Sequence, residues 1–286
     1  MIDWLLEPWE FEFMRRALFA GLLVAMAGAV VGTFVVVKGL AFLSDAVAHT
    51  SLTGAAVAFV LGGGNLAISL GAAAAAVITA VSVALVTRLA KLREDTAIGL
   101  LFAGVFGLGV LIISSARNYA LELNSFIVGN ILGVSDQDLV LMAILTAIVL
   151  LAVLAFYDEL LFAAYDPVMA EASGVRVNLA HAGLLVLVAL TAVIAFRLVG
   201  VVLVMAMLVA PAAAGSLLFR TMPRIMLAGG IAGAVSTAAG LYLSFYADLA
   251  AGPAIVTVAI VLFGVVFLTT PRGLGLGRRL VPRTSP

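Results

Sequence analysis

The chain has 286 residues, of which 65% are hydrophobic and only 10% charged, with a mean hydropathy of +1.28. Soluble domains carry about 45–50% apolar and about 25% charged residues, so this composition excludes an ordinary soluble protein and points to a polytopic membrane protein. Fifteen Lys and Arg balance fifteen Asp and Glu, which leaves no basic excess to track a nucleic-acid backbone, and the absence of cysteine excludes disulfide frameworks, thiolate metal sites and thiol nucleophiles.

The N-terminal segment, residues 1–16, is acidic (Asp3, Glu7, Glu10, Glu12), and the apolar run that follows from Ala17 to Val37 is too long for a cleaved signal, so it reads as a retained span. A crossing needs about 20 mostly apolar residues. Windows that meet this run over 17–37, 46–64, 66–87, 96–116, 139–157, 177–196, 198–219, 225–247 and 253–271. The second is preceded by the polar residues Ser44 and Asp45 and includes His49, and only Arg197 and Gly200 divide the 177–196 and 198–219 windows. The expected fold is therefore all-α, a polytopic membrane helix bundle of about eight or nine transmembrane helices occupying 17–271, with eight spans plus a broken helix as the alternative count. Residues 121–135 are apolar but only about half a bilayer long and interrupted by Gly129 and Gly133, which predicts a re-entrant or outer-surface helix. Gly28/Gly32 and Gly229/Gly233 have the small-xxx-small spacing of packed membrane helices.

One orientation gathers Lys38, Arg88, Lys91, Arg93, Arg176, Arg220, Arg224, Arg272, Arg278, Arg279 and Arg283 on one side and leaves Arg15, Arg16, Arg117 and Arg197 on the other. The positive-inside rule then puts residues 1–16 outside and the basic tail 272–286 in the cytoplasm.

Asp45 and His49 are four residues apart in an otherwise apolar run, so on a helix they share one face about 5–6 Å apart. An ionisable pair in a membrane segment is costly and marks an ion site, a proton relay or a pathway; the alternative is a helix cap at Asp45 and a carbonyl-bonded His49. A carboxylate with an imidazole suits Mn(II), Zn(II) or Fe(II). Two copies about a two-fold axis would bring four such ligands together.

The longest cytoplasmic segment, 158–176, contains Asp166 followed by Pro167, an N-cap with proline at the first helical position, and Gly174 as a stop. A short amphipathic helix is expected there, serving either as a docking element for a cytoplasmic partner or as an interfacial linker. His181 is expected to bond backbone at the interface, Arg197 to snorkel at an outer turn, and Pro211 to kink its span. No phosphate loop, zinc-protease signature or nucleophile elbow occurs, so the chain has no ATPase site of its own and no constellation for hydrolysis.

These residues resemble the permease subunits of the metal-uptake ATP-binding-cassette transporters of the ABC-3 type, which import manganese, zinc or ferrous iron in bacteria. The resemblance runs from about residue 14 to 271. It rests on Gly39-Leu-Ala-Phe-Leu-Ser-Asp-Ala-Val-Ala-His49, on Tyr165-Asp-Pro-Val-Met-Ala-Glu-Ala-Ser-Gly-Val175, on Val199 to Ala214 and on Gly252-Pro-Ala-Ile-Val256. Ala48 replaces the family's usual Ser, and Ala210 a common Ile. The resemblance implies a homodimer or pseudo-dimer, two cytoplasmic ATPase subunits, and an extracytoplasmic metal-binding protein. It also implies no permanently bound cofactor, Mn2+, Zn2+ or Fe2+ as cargo, metal contact by Asp45 and His49, and coupling to the ATPase through Tyr165, Asp166, Pro167, Glu171 and Gly174. A permease for a chelated metal or other small ligand, a proton-coupled secondary transporter and a non-transporting scaffold are the competing expectations.

Overall fold

The computed structural model describes residues 3–114, 131–199 and 204–270, and among these the regular structure is helical throughout. The most apolar stretches become α1 (Asp3–Glu10), α2 (Glu12–Lys38), α3 (Ala41–Val60), α4 (Asn65–Ala90) and α5 (Glu94–Ile113). After a single 3₁₀ turn at Ile131–Gly133 come α6 (Asp136–Ala155), α7 (Tyr157–Tyr165), α8 (Pro167–Ala172), α9 (Val177–Val199), α10 (Val204–Leu218), α11 (Met222–Ala247) and α12 (Ala251–Thr269). Eight of these are long and apolar enough to cross a membrane, and α10, with 15 residues, is the shorter apolar helix beside them. The chain is thus a multi-pass membrane helix bundle. The expected re-entrant helix, apart from the 3₁₀ turn and the residues joining it to α6, and the basic tail lie outside the described residues.

Helix boundaries depart from the apolar windows where side chains extend the helix past its hydrophobic limit. α2 begins at Glu12 rather than at Ala17 because Arg16 pairs with Glu12 one turn earlier at 2.6 Å. α6 begins at Asp136 because Ser135 and Asp138 form a reciprocal capping box. α3 begins at Ala41, so Asp45 lies inside the helix and not in a lead-in loop. The turn before it is tight: Gly39 adopts φ +71°, a left-handed conformation that glycine takes without steric cost, and Leu40 N–H donates to the Val35 carbonyl at 2.9 Å. The α9 backbone continues through Arg197 to Val199, past the expected outer turn. α7 was not expected as a separate helix; Phe156 breaks it from α6 with φ −115°, ψ 26°.

α2, α3 and α9 form the centre, with 67%, 56% and 61% of their apolar windows buried, whereas α5 and α6 bury only 22%. Around α2 pack α9, α10, α11 and α6. α2 and α11 run antiparallel: a Cβ at Gly21 would strike the Thr237 side chain, and further along the pair a Cβ at Gly233 would stand 2.9 Å from Ala25 Cβ, while just before α2 Trp9 Nε1 of α1 donates to Tyr242 OH at 2.5 Å. Trp9, Phe11, Tyr242, Phe245 and Tyr246 cluster at one end of this pair, the amphipathic belt expected at a membrane–water interface. The small-residue spacings do allow close approach. A Cβ at Gly32 would strike the Leu208 carbonyl oxygen of α10, and one at Gly229 would sit 3.3 Å from Ala212 Cα. α3 and α4 touch backbone to backbone at Gly54 and Gly71, each of whose Cβ would meet the other's carbonyl oxygen. Several buried hydroxyls in the spans are satisfied by carbonyls on the preceding turn, as in Thr33 to Ala29 at 2.7 Å and Thr191 to Leu187 at 2.8 Å, whereas Thr87 and Thr146 bury their hydroxyls without a protein partner.

Candidate functional site

On α3, Asp45 and His49 lie about 6 and about 12 Å along the axis from Ala41, at 1.5 Å per residue. They share a face as the spacing predicts: His49 Nδ1 is 3.5 Å from Asp45 Oδ1, and both side chains are mostly but not wholly covered, at 21% and 25% exposure respectively. His49 Nδ1 also lies 2.9 Å from the Asp45 backbone carbonyl oxygen. A carbonyl only accepts, so Nδ1 carries a proton and donates, which leaves Nε2 as the ring nitrogen not engaged by the backbone. This is the arrangement by which an outer hydrogen bond orients an imidazole ligand. Of the alternative reading, the carbonyl-bonded His49 is present, while Asp45 is not a helix cap, because α3 already begins at Ala41 with Leu40 before it.

α5 supplies the wall beside the pair. Phe102 and Phe106, four residues apart, stack on each other at 5.6 Å, and His49 meets both in T-shaped contacts at 5.5 and 5.4 Å. Phe42 completes the aromatic group against Phe102 at 6.3 Å. One turn beyond His49, Thr53 Oγ1 donates to the Val105 carbonyl at 2.7 Å, fixing α3 to α5 beside the site. Among the described residues no group of three or more His, Asp or Glu converges.

His181 departs from expectation. Its Nδ1 lies 3.3 Å from Lys38 Nζ at the end of α2, and its Nε2 lies 3.0 Å from Glu94 Oε1 at the start of α5. The ammonium has only donors, so Nδ1 accepts and the proton sits on Nε2, facing the buried Glu94 oxygen without forming an aligned hydrogen bond. The chain has two histidines, and each is thus partnered by a carboxylate. Sequence reading missed this cluster because its members are more than 50 positions apart; the only signal was that all three sit at helix ends on the same face of the bundle.

That same face carries the 158–176 segment. Asp166 Oδ1 accepts from Met169 N–H at 2.9 Å, with Pro167 in the first turn, so the N-cap forms as the sequence indicates. α8 spans six residues and ends where Gly174 turns left-handed at φ +87°, Val175 N–H closing on the Ala170 carbonyl at 3.0 Å. Ala170 is fully buried and anchors the helix, while Val168 is 80% exposed and Met169 and Tyr165 each 57%. Tyr165, Asp166, Pro167, Glu171 and Gly174 thus fall in one continuous outward element crowned by uncovered apolar side chains.

The described residues thus form a bundle of apolar helices with an ionisable pair inside one span and a capped helix projecting from one face. Residues 10–270 match the ABC 3 transport family, and the chain belongs to that family as its membrane-spanning permease component. It is 36% identical over 92% of its length to the manganese transport system membrane protein MntC of Halalkalibacterium halodurans, covering 89% of that protein. A probable iron transport system membrane protein of Haemophilus influenzae is 34% identical, with 95% of each chain covered. The solved structure of PsaBC from Streptococcus pneumoniae in complex with Fab contains a chain that is 30% identical and superposes with a TM-score of 0.85, over 98% of this chain and 100% of that one.

Proposed function

We propose that this chain forms the transmembrane pathway through which a divalent transition metal, Mn2+ or Fe2+ and by the same donor chemistry Zn2+, enters the cytoplasm. The manganese and iron named for its relatives support the substrate class. The observation that carries the assignment to residues is the Asp45–His49 pair, a carboxylate beside an imidazole whose Nδ1 is held by the backbone. These are borderline-hard N and O donors, suited to Mn(II), Fe(II) and Zn(II) and not to Cu(I). A second copy of the chain supplies the remaining ligands, and an extracytoplasmic metal-binding protein delivers the ion to the outer mouth. ATP hydrolysis by two separate cytoplasmic subunits drives the cycle, with α8 and its rim residues Tyr165, Asp166, Glu171 and Gly174 transmitting the motion. In this reading residues 1–16 are extracytoplasmic, 17–271 form the permease unit, and the tail 272–286 is cytoplasmic.

The test is elemental analysis of cells that express the chain with its ATPase and binding protein. Asp45→Ala and His49→Ala are each expected to lower metal accumulation by about tenfold or more at unchanged membrane abundance, the loss of one ligand costing at least about 1.4 kcal/mol. Normal accumulation in both variants would refute the ligand assignment, and uptake that persists without the ATPase but collapses with the proton gradient would make the pair a proton relay.

A further inference from the structure

A cavity of about 860 Å³ opens on the flank of the bundle between α6 and α9, within the roughly 300–1,000 Å³ range of small-molecule sites. Its walls are two helical stripes, Ile148 and Ala152 on α6 and Leu179, Gly183 and Leu190 on α9, and its rim on the α8 face holds Glu159 and Arg176. The stripe from Leu179 to Leu190 rises about 16 Å at 1.5 Å per residue. One leaflet of a roughly 30 Å hydrocarbon core is about 15 Å deep. The groove is therefore as long as one leaflet is thick, apolar along its length and charged only at its interfacial end.

The rim carries one charge of each sign. Glu159 and Arg176 are both exposed, and among the described residues neither is held in an ion pair. Gly183 removes the side chain that would otherwise fill the middle: a Cβ there would have no protein atom within 4 Å. A headgroup with a phosphate and a primary amine would complement both rim charges, the phosphate on the Arg176 guanidinium and the ammonium donating to Glu159. A purely anionic headgroup would leave Glu159 facing like charge, and a quaternary ammonium has no N–H to donate.

We propose that this groove is a binding site for one aminophospholipid, a phosphatidylethanolamine of the leaflet on the α8 face, with an acyl chain along α9 and its headgroup bridging Arg176 and Glu159. Bound there, the lipid packs against the start of α9 and the Ser173–Arg176 connection, and so braces the element that presents α8. It extends the permease reading without depending on which metal is carried.

The experiment is native mass spectrometry, with lipid identification, of the complete transporter extracted from cell membranes in mild detergent. Wild type is expected to retain phosphatidylethanolamine in preference to phosphatidylglycerol. Gly183→Phe, which puts a ring into the groove from a Cβ position with no protein atom within 4 Å, and Arg176→Gln are each expected to lower that retention by about tenfold, the effect of a lost charge-assisted contact or a blocked site. Undiminished phosphatidylethanolamine in Gly183→Phe, or preferential retention of phosphatidylglycerol by wild type, overturns the proposal. Because the chain has no cysteine, Val186→Cys gives a second measurement: labelling by a lipid-soluble maleimide supports an acyl-chain groove, whereas cross-linking to a second copy or to the ATPase identifies a protein interface and overturns it.

Discussion

At the scale of single residues, the glycines separate into two kinds that composition alone does not distinguish. Gly54 faces the Gly71 carbonyl across the α3–α4 crossing, whereas Gly99 on α5 has no atom within 4 Å of a built Cβ. Gly54→Ala is therefore expected to destabilise by about 1–3 kcal/mol through backbone displacement. Gly99→Ala is expected to be neutral or to stabilise by up to about 1 kcal/mol through helix propensity. Thermal unfolding of both variants in the same detergent checks the sign of the difference; equal midpoints would mean that the α3–α4 contact is not close. The Asp45–His49 pair was legible because its two members are one helical turn apart, so periodicity alone placed them together. Lys38, Glu94 and His181 were not legible for the opposite reason: only the antiparallel return of α5 and α9 to the end of α2 makes them neighbours.

At the scale of elements, local chemistry told more than hydrophobicity. Asp166, Pro167 and Gly174 announced α8 with its cap, first turn and stop, because each acts on its own backbone within a few residues. α7 was missed because it follows α6 almost without interruption, and its first residue continues an apolar run. The uncovered tip of α8 bears on coupling. If Val168 and Met169 seat in a cleft of the ATPase, Asp166→Arg removes the N-cap that holds them in place and introduces the opposite charge. That variant is expected to lose ATPase co-purification and metal uptake while retaining membrane abundance; a complex that survives intact would show that α8 is only a linker.

For the whole molecule, the span count depended on where apolar windows are divided, and the described residues hold eight helices of spanning length with the shorter α10 beside them. Interhelical register was beyond sequence because lipid-facing and protein-facing residues are equally apolar here, so no amphipathic stripe marks which side packs. Orientation is a global property with a global test. Leu61, 81% exposed at the α3–α4 turn, and Val168, 80% exposed on α8, lie at opposite ends of the bundle. In a chain free of cysteine, Leu61→Cys is expected to react with an impermeant maleimide from outside intact cells and Val168→Cys only after permeabilisation; the reverse pattern would invert the topology. The Gly54–Gly71 crossing and the Thr53–Val105 bond tie α3 to both α4 and α5. Mechanically, these three helices form a single lever: where two backbones interlock, one cannot slide a step past the other without driving a methyl group into a carbonyl. If the pair is the ion site proposed above, Asp45, His49 and the α5 rings keep a fixed geometry through a transport cycle, and access to the ion changes by what swings toward or away from that lever.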